Sequence, residues 1–245
     1  MPALEFESRE FAGRLLNASP SPFDGRDLLL GFDLAAPPPP RRYVAPGMGP
    51  VYNQRNTGTC SAHGAAGVRV WQEKRDGHGV IPVDIFRLYD LVKNVVDEQP
   101  DPRRVIGTHI RSVMRLMKGT GIPLLGQRAA GAGGKIETYW QVQGGQLAVK
   151  AAIMAHGPLL SRADWDGGWM KLPITRVVKQ PIGVIVGGHI FDVFGWDDDV
   201  NDGSWIIRNS WGRWSIGGNG NAYLAYRHLR FKRPEFWACT DVKKD

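Results

Sequence analysis

The sequence predicts an α+β fold of two lobes, a helical lobe first and a β-rich lobe second. In the first half, apolar residues recur at helical spacing, as they do along residues 83–96. After Pro158, short segments rich in β-branched and aromatic residues alternate with turns. Helices that precede strands in this way are typical of the α+β class, and a cleft between two lobes is the expected place for a site.

Four helices are predicted in the first lobe. The first opens at Cys60 with a run of small residues, which lets neighbouring elements approach closely, and Gly77 follows its end. Thr108 is a suitable N-cap for the third helix, and Gly119 is its stop signal. The predicted helices cover residues 60–75, 83–96, 109–119 and 146–155.

The predicted strands lie in the second half of the chain, and an arm precedes both lobes. Residues 1–40 are turn-rich and end in four consecutive prolines, which favour a stiff polyproline II conformation. We therefore divide the chain into an arm at 1–40 and a domain at 41–245, whose helical lobe spans 41–157 and whose β-rich lobe spans 158–245. The predicted strands cover residues 159–163, 183–186, 189–196, 204–208 and 222–226.

Composition limits the classes of function. The chain has a mean hydropathy of −0.27 and no apolar run near the roughly 20 residues of a membrane span. Residues 1–14 lack the apolar core of a secretory signal, and two cysteines cannot form a disulfide framework. These features favour the cytoplasm without fixing the location, and no membrane partner is expected. The net charge is +7, but no nucleic-acid motif is present, so no nucleic-acid partner is expected.

Cys60 is a candidate nucleophile because of its place in the chain. It follows a polar, glycine-containing loop at residues 53–59 and opens the first predicted helix. The positive end of a helix dipole lowers a thiol pKa from about 8.5 and so raises the thiolate fraction. A thiolate is the nucleophile that acyl transfer needs. The alternative is a buried cysteine that packs as a small apolar side chain.

Two later motifs supply the partners that a catalytic cysteine needs. His189 stands in Gly-Gly-His-Ile-Phe, 129 residues after Cys60, and Asn209 stands in Asn-Ser-Trp-Gly, 149 residues after it. These distances match the cysteine, histidine and asparagine spacing of the papain group. Together with Gln54, these motifs make residues 51–229 resemble the papain-like cysteine peptidases. The resemblance is closest to the bacterial and phage-type branch, which lacks the propeptide and the disulfides.

The resemblance implies a papain-like fold, in which a helical lobe and a β-barrel-like lobe flank the active-site cleft. It implies that Cys60 is the nucleophile, that His189 accepts and later returns a proton, and that Asn209 orients the imidazole. Gln54 would donate its amide N–H to the developing oxyanion, together with the backbone N–H of Cys60. This chemistry needs no cofactor.

Three further residues are expected at the substrate. Gly107 resembles the substrate-binding glycine of the family and would pair with an extended peptide through its backbone. Gly188 adjoins the histidine, and Trp211 resembles the indole that screens the histidine–asparagine pair from water. No metal site is expected, because the acidic loop at 197–203 lacks the ligand spacing of a calcium loop.

The leading hypothesis is a cysteine-type peptidase, a hydrolase that cleaves a peptide or protein substrate through a thioester acyl-enzyme. Two departures from the family pattern support a second hypothesis, a papain-fold binding or structural component of a larger assembly with weak or no catalysis. Arg55 places a charge next to Gln54, and residues 213–217 replace the usual Trp-Gly pair. A third hypothesis is a Cys–His cell-wall peptide hydrolase or transferase, although the Asn-Ser-Trp-Gly motif argues against it.

Overall fold

The fold consists of five α-helices and ten strands in residues 10–11, 13–31, 37–214 and 218–242, the part of the chain that the computed structural model describes. The α-helices are α1 (Cys60–Arg75), α2 (Ile85–Leu91), α3 (Ile110–Gly119), α4 (Gly145–His156) and α5 (Tyr226–Leu229). A π-helical turn, Val92–Val96, continues α2, and Gly167–Trp169 forms a 3-10 turn. The strands are β1 (Glu10–Phe11), β2 (Arg14–Leu15), β3 (Leu29–Leu30), β4 (Arg42–Val44), β5 (Ile136–Val142), β6 (Leu159–Asp166), β7 (Ile185–Asp197), β8 (Ser204–Arg208), β9 (Asn221–Ala225) and β10 (Glu235–Asp241).

One sheet of eight strands organises the domain. Its strands lie in the order β3-β5-β10-β6-β7-β8-β9, and β4 pairs with β7. The pairings are antiparallel except for that of β3 with β5. The longest strand, β7, is buried from Val186 to Asp197 because β6 and β8 flank it and helices cover it.

Helices and sheet contribute to two main hydrophobic clusters, and the predicted α+β class is confirmed. The first cluster joins α1, α2 and α3 and includes Val113 and, from β10, Trp237. The second fills the sheet around Trp165 and takes in α4 through Val149. The lobe boundary at 157/158 stays a prediction, since α4 precedes that boundary in the chain but packs with the sheet.

The helix predictions are confirmed for α1 and, within one residue at each end, for α4. The predicted N-cap of the third helix is wrong. The helix begins at Ile110 with His109 as its N-cap residue, and the Thr108 hydroxyl donates to Asp97 Oδ2 instead (2.7 Å). Thr108 has a side chain that can cap a helix. Its hydroxyl is instead held by the Asp97 carboxylate, because a hydrogen bond to a charged acceptor is stronger than one between the hydroxyl and a neutral backbone N–H.

The predicted strands at 183–186 and 189–196 are parts of one strand, β7. Gly187 and Gly188 do not interrupt it, because both remain paired with β6. β5 and β10 are not among the predicted strands. Each mixes charged and apolar residues, and their mutual pairing joins segments far apart in the chain, so no local pattern marks them.

Both cysteines, Cys60 and Cys239, are buried free thiols. Within the described ranges, no helix has the length and apolar composition that crossing a bilayer requires. Residues 215–217, part of the loop that departs from the family pattern, lie outside the described residues.

The first turns of α1 lie very close to β6 and β7. A β-carbon on Gly64 would overlap Leu160 Cδ1, and one on Gly67 would overlap the Asp192 carboxylate. Because these two positions carry no side chain, the helix backbone reaches the sheet and brings Cys60 to β7. The Asp192 carboxyl is buried in this contact, and burial raises its pKa well above the usual range.

Adding one methyl group at this contact tests its importance. We expect Gly64→Ala to lower the free energy of unfolding by about 1–2 kcal/mol, because overpacking exceeds the gain of about 1 kcal/mol in helix propensity. Gly119→Ala, at the end of α3, is the matched control, since nothing lies within 4 Å of its β-carbon position. Urea unfolding measures both variants, and equal stabilities would contradict close packing at Gly64.

Candidate active site

The Cys60 thiol lies at the N-terminus of α1, against β7. Its side chain is 1% exposed. Backbone N–H groups of Cys60, Ser61 and Ile190 face the sulfur and favour its thiolate, but burial has the larger effect and raises the pKa of the thiol to about 11. The thiol is therefore protonated at neutral pH in this arrangement. Ile190 directly follows His189 on β7. The contact between the Ile190 N–H and the sulfur therefore places Cys60 beside the segment of β7 that carries the His189 imidazole.

Asn209 holds the His189 imidazole. His189 Nε2 lies 2.8 Å from Asn209 Oδ1, and because that oxygen only accepts, Nε2 is the protonated nitrogen. Nδ1 is buried and has no hydrogen-bond partner within the described ranges. Burial lowers the pKa of His189 to about 4, although the hydrogen bond to Asn209 acts in the opposite direction. The imidazole is thus neutral, with a lone pair on Nδ1.

The register of the sheet explains how these two residues meet. His189 lies on β7 opposite Ala163 of β6, and Asn209 directly follows β8 on the other side of β7. Adjacent antiparallel strands therefore bring the imidazole and the carboxamide together across the sheet.

A short antiparallel pairing of residues 52–54 with residues 210–212 brings Gln54 to the site. The Gln54 N–H donates to the Ser210 carbonyl (2.8 Å). The side chain is fully buried; its Oε1 accepts from the Ser210 hydroxyl (2.6 Å) and its Nε2 donates to the Thr57 carbonyl (2.7 Å). A carboxamide carries two N–H bonds, so one remains for another acceptor.

Two indoles enclose His189. The Trp211 ring lies 4.7 Å from the imidazole centroid, and the Trp165 ring lies 4.9 Å from it in an edge-to-face arrangement. Both side chains are buried, so they keep water from the hydrogen bond to Asn209. Trp165 is not among the predicted site residues. Side chains two residues apart on a strand lie on the same face, so Trp165 lies on the same face of β6 as Ala163, the strand partner of His189. This spacing is the sequence feature that points to Trp165.

The N-terminal arm crosses this site. The Ala18 N–H donates to the Gly188 carbonyl (3.0 Å), and Asn17 forms a parallel bridge with Gly188. The Asn17 carbonyl also lies against Gly107, so closely that a β-carbon on Gly107 would overlap it. The carbonyl of Gly107 accepts a hydrogen bond from the buried Lys93 (3.2 Å). Both glycines predicted to bind substrate thus contact the same stretch of the arm.

Contacts on both sides of the crossing hold the arm in place. Before it, Arg14 donates to the Arg55 carbonyl (3.0 Å), and its guanidinium lies 5.5 Å from the Trp211 ring centroid. After it, the Ser21 N–H donates to the Glu235 carboxylate (2.8 Å). Further along, two ion pairs join the arm to α3: Asp24 with Arg115, and Asp27 with Arg111. The arm therefore covers the cleft that holds the thiol and the imidazole.

One polar side chain of the arm, that of Asn17, lacks hydrogen-bond partners among the described residues. The Asn17 carboxamide is buried beside Gly58, and neither its oxygen nor its nitrogen has a hydrogen-bond partner among the described residues. A buried polar group without a partner costs about 1–3 kcal/mol. Asn17 thus opposes the docking that its neighbours favour.

Within the described ranges, no group of three or more His, Cys, Asp or Glu side chains could hold a metal ion. The site groups are instead a thiol, an imidazole and two carboxamides. This set supports nucleophilic and acid–base chemistry.

Solved structures share this architecture. Xylellain, a cysteine protease from Xylella fastidiosa, has a TM-score of 0.75 at 20% identity, covering 97% of this chain and 99% of its own. Procathepsin B S9 from Trypanosoma congolense has a TM-score of 0.75 at 14% identity, covering 95% of this chain and 88% of its own. The cysteine protease and lectin-like domains of Cwp84, a surface layer associated protein of Clostridium difficile, have a TM-score of 0.70 at 14% identity, covering 96% of this chain and 57% of their own.

No protein-family model matches the chain, and no curated protein matches its sequence. The solved structures are at most 20% identical to this chain, so their likeness describes its fold. The structural likeness extends over at least 95% of the chain, whereas the resemblance in sequence motifs extends over residues 51–229. The protein has the papain-like cysteine protease fold.

Proposed function

We propose that the protein is a cysteine-type peptidase that hydrolyses peptide bonds through a thioester acyl-enzyme. The observation that supports this most is the 2.8 Å hydrogen bond from His189 to Asn209, which leaves Nδ1 without a partner among the described residues. The next residue of β7, Ile190, contacts the Cys60 sulfur through its N–H. A thiol, an imidazole with an available lone pair and an orienting carboxamide are the groups that this chemistry requires.

In the proposed mechanism, His189 Nδ1 takes the thiol proton and the Cys60 sulfur attacks the carbonyl carbon of the scissile bond. The Cys60 backbone N–H and the remaining Gln54 N–H stabilise the oxyanion. The tetrahedral intermediate collapses as the C–N bond breaks, and the imidazolium gives its proton to the leaving amine. Water, deprotonated by the same imidazole, then hydrolyses the thioester and restores the thiol.

The proposed substrate is a peptide or protein segment in an extended conformation. Extended backbone from the arm already lies between Gly107 and Gly188, and a substrate can use the same backbone contacts. We infer that the arm keeps the enzyme latent, because substrate and arm need the same space. Removal of the arm hydrates the site, which lowers the pKa of Cys60 and raises that of His189 toward a reactive pair.

A binding or structural role is the second candidate. A cleft that holds its own arm also fits a protein in which this contact is permanent and the thiol never reacts. The two candidates differ in whether Cys60 becomes reactive when the arm is weakened.

Weakening the arm should expose the thiol. In the full-length chain, Arg14→Ala with Leu16→Ala removes the contact with Trp211 and a leucine that is 1% exposed. Loss of a buried leucine weakens docking by about 2–5 kcal/mol, so we expect alkylation of Cys60 to become at least about 10-fold faster. Leu29→Ala, an arm residue that is 63% exposed, is the control and should leave the rate unchanged. An unchanged rate in the double variant favours the second candidate.

Replacing the nucleophile tests the reaction itself. In the Arg14→Ala/Leu16→Ala chain, Cys60→Ala should reduce hydrolysis of a fluorogenic peptide library by about 10³-fold or more, because no acyl-enzyme can form. Cys239→Ala removes the other buried thiol and is the matched control, which should retain the activity. Hydrolysis that survives Cys60→Ala excludes the proposed mechanism.

The pH dependence of alkylation follows from the burial of the thiol. With the arm in place, the pKa of Cys60 is about 11, so the iodoacetamide rate should increase with pH until about pH 11. In the Arg14→Ala/Leu16→Ala chain, hydration reduces the effect of burial, and the midpoint should move to lower pH. Mass spectrometry of the Cys60 peptide separates its labelling from that of Cys239. Identical midpoints in the two chains would show that the arm does not control the environment of the thiol.

A further inference from the structure

An arginine that the mechanism does not use lies in the wall of the cleft. Arg162 is on β6 and fully buried, and its Nε donates to the Ala18 carbonyl of the arm (3.2 Å). Its Nη2 lies 2.6 Å from the position that a β-carbon on Gly188 would take. The guanidinium is also near enough to Cys60 to favour the thiolate, although burial of the thiol outweighs this effect. Arg162 therefore faces whatever occupies the cleft beside Gly188.

Arg162 shares its acidic partner, Asp164, with a second arginine. Asp164 Oδ1 forms an ion pair with Arg162 Nη2 (2.6 Å), although the alignment of the Nη2 N–H bonds with described acceptors is poor. The same carboxylate also accepts two hydrogen bonds from Arg233, of 2.6 and 3.0 Å, so one acid serves two guanidinium groups. Glu235, the other acid whose charge acts on Arg162, accepts the Ser21 N–H and an indole N–H.

The side of Arg162 that faces the arm has the shape that binds a carboxylate. Nε and Nη2 carry parallel N–H bonds in the plane of the guanidinium, and together they match the two oxygens of a carboxylate. Among the described residues, four other arginines use the same two nitrogens in this way: Arg26 on Asp24, Arg75 on Asp76, Arg111 on Asp27 and Arg233 on Asp164. In Arg162, Nε donates to the Ala18 carbonyl of the arm, Nη1 donates to the Arg233 carbonyl (3.4 Å), and Nη2 has only the ion pair with Asp164, so no carboxylate occupies both nitrogens of the fork.

We propose that Arg162 is a specificity-determining residue that binds a carboxylate of the substrate where the Ala18 carbonyl lies in the closed chain. The proposal rests on the peptide-binding part of the proposed function. The carboxylate belongs either to an aspartate or glutamate within the peptide or to the free end of a peptide, because both present two oxygens to the fork. A charged, two-oxygen ligand makes stronger hydrogen bonds to the fork than the neutral carbonyl of the arm does.

Matched peptides test the proposal with Arg162 unaltered. The full-length Arg14→Ala/Leu16→Ala chain is assayed with end-blocked peptides that carry Asp or Asn, or Glu or Gln, at each position in turn, and with the same peptides bearing a free C-terminus. At one position, kcat/KM for the acidic peptide should exceed that for its amide counterpart by about 10- to 100-fold. A preference for the free C-terminus alone assigns the carboxylate to the chain end. Equal rates within every pair overturn the proposal.

Variants of Arg162 then assign the preference to this residue. Arg162→Gln removes a cation near Cys60 and so slows both peptides, but it should also bring the ratio of kcat/KM between the acidic peptide and its amide counterpart to about 1. Arg162→Lys keeps the charge but not the fork, so it should retain only part of the preference. Arg227→Gln, an exposed arginine that pairs with Asp202, is the control and should keep the full preference. A preference that survives Arg162→Gln contradicts the assignment. If that variant does not fold, Arg162→Lys and the peptide pairs still decide.

A chain without the nucleophile separates this proposal from the peptidase function. Binding of a fluorescent acidic peptide and its amide counterpart is measured by anisotropy on the full-length Arg14→Ala/Leu16→Ala/Cys60→Ser chain. If neither peptide is hydrolysed by the parent chain but the acidic one binds at least about 10-fold more tightly, the peptidase proposal fails and the Arg162 proposal stands. If both are hydrolysed and bind equally, the Arg162 proposal alone fails.

Discussion

The close contact between α1 and β7 is the constraint on which the geometry of the site depends. Gly64 and Gly67 let the helix backbone approach the sheet, so the Cys60 sulfur meets the N–H of Ile190, one residue beyond the imidazole. β7 is itself fixed between β6 and β8, which set the position of the ring and of the carboxamide that holds it. The Cys60 thiol and the His189 imidazole are therefore positioned by a closely packed core, which permits few alternative arrangements.

Exclusion of water determines the protonation state of these groups. The thiol and the imidazole are both buried, and burial disfavours the charged form of each. Proton transfer from sulfur to nitrogen would create an ion pair in a medium that solvates it poorly. In our proposal, displacing the arm changes the solvation of the pair. In the proposed peptidase, access of solvent to the site therefore controls reactivity.

The parts of the site that could be predicted from sequence are those with a local signal. Cys60 opens a helix that begins with small residues and follows a polar loop, and His189 and Asn209 stand in short motifs at a known spacing. Arg162 could not be found in this way, because its burial depends on an arm about 140 residues earlier in the chain. The strand β10 could not be predicted either, because it pairs with β5 and β6, which are far from it in the sequence. Such contacts are properties of the tertiary structure and leave no periodic pattern in the sequence.

The unpaired carboxamide of Asn17 has a consequence for how the cleft exchanges its occupants. A tethered segment acts as a competitor at an effective concentration on the order of millimolar, so a free peptide must bind more tightly to replace it. The unsatisfied amide lowers the affinity of the arm by about 1–3 kcal/mol, which gives about a 5- to 150-fold advantage to a peptide whose side chain suits the space beside Gly58. If the chain is the proposed peptidase, Asn17 lowers the peptide concentration that displaces the arm by mass action, with no need for the chain to be cut.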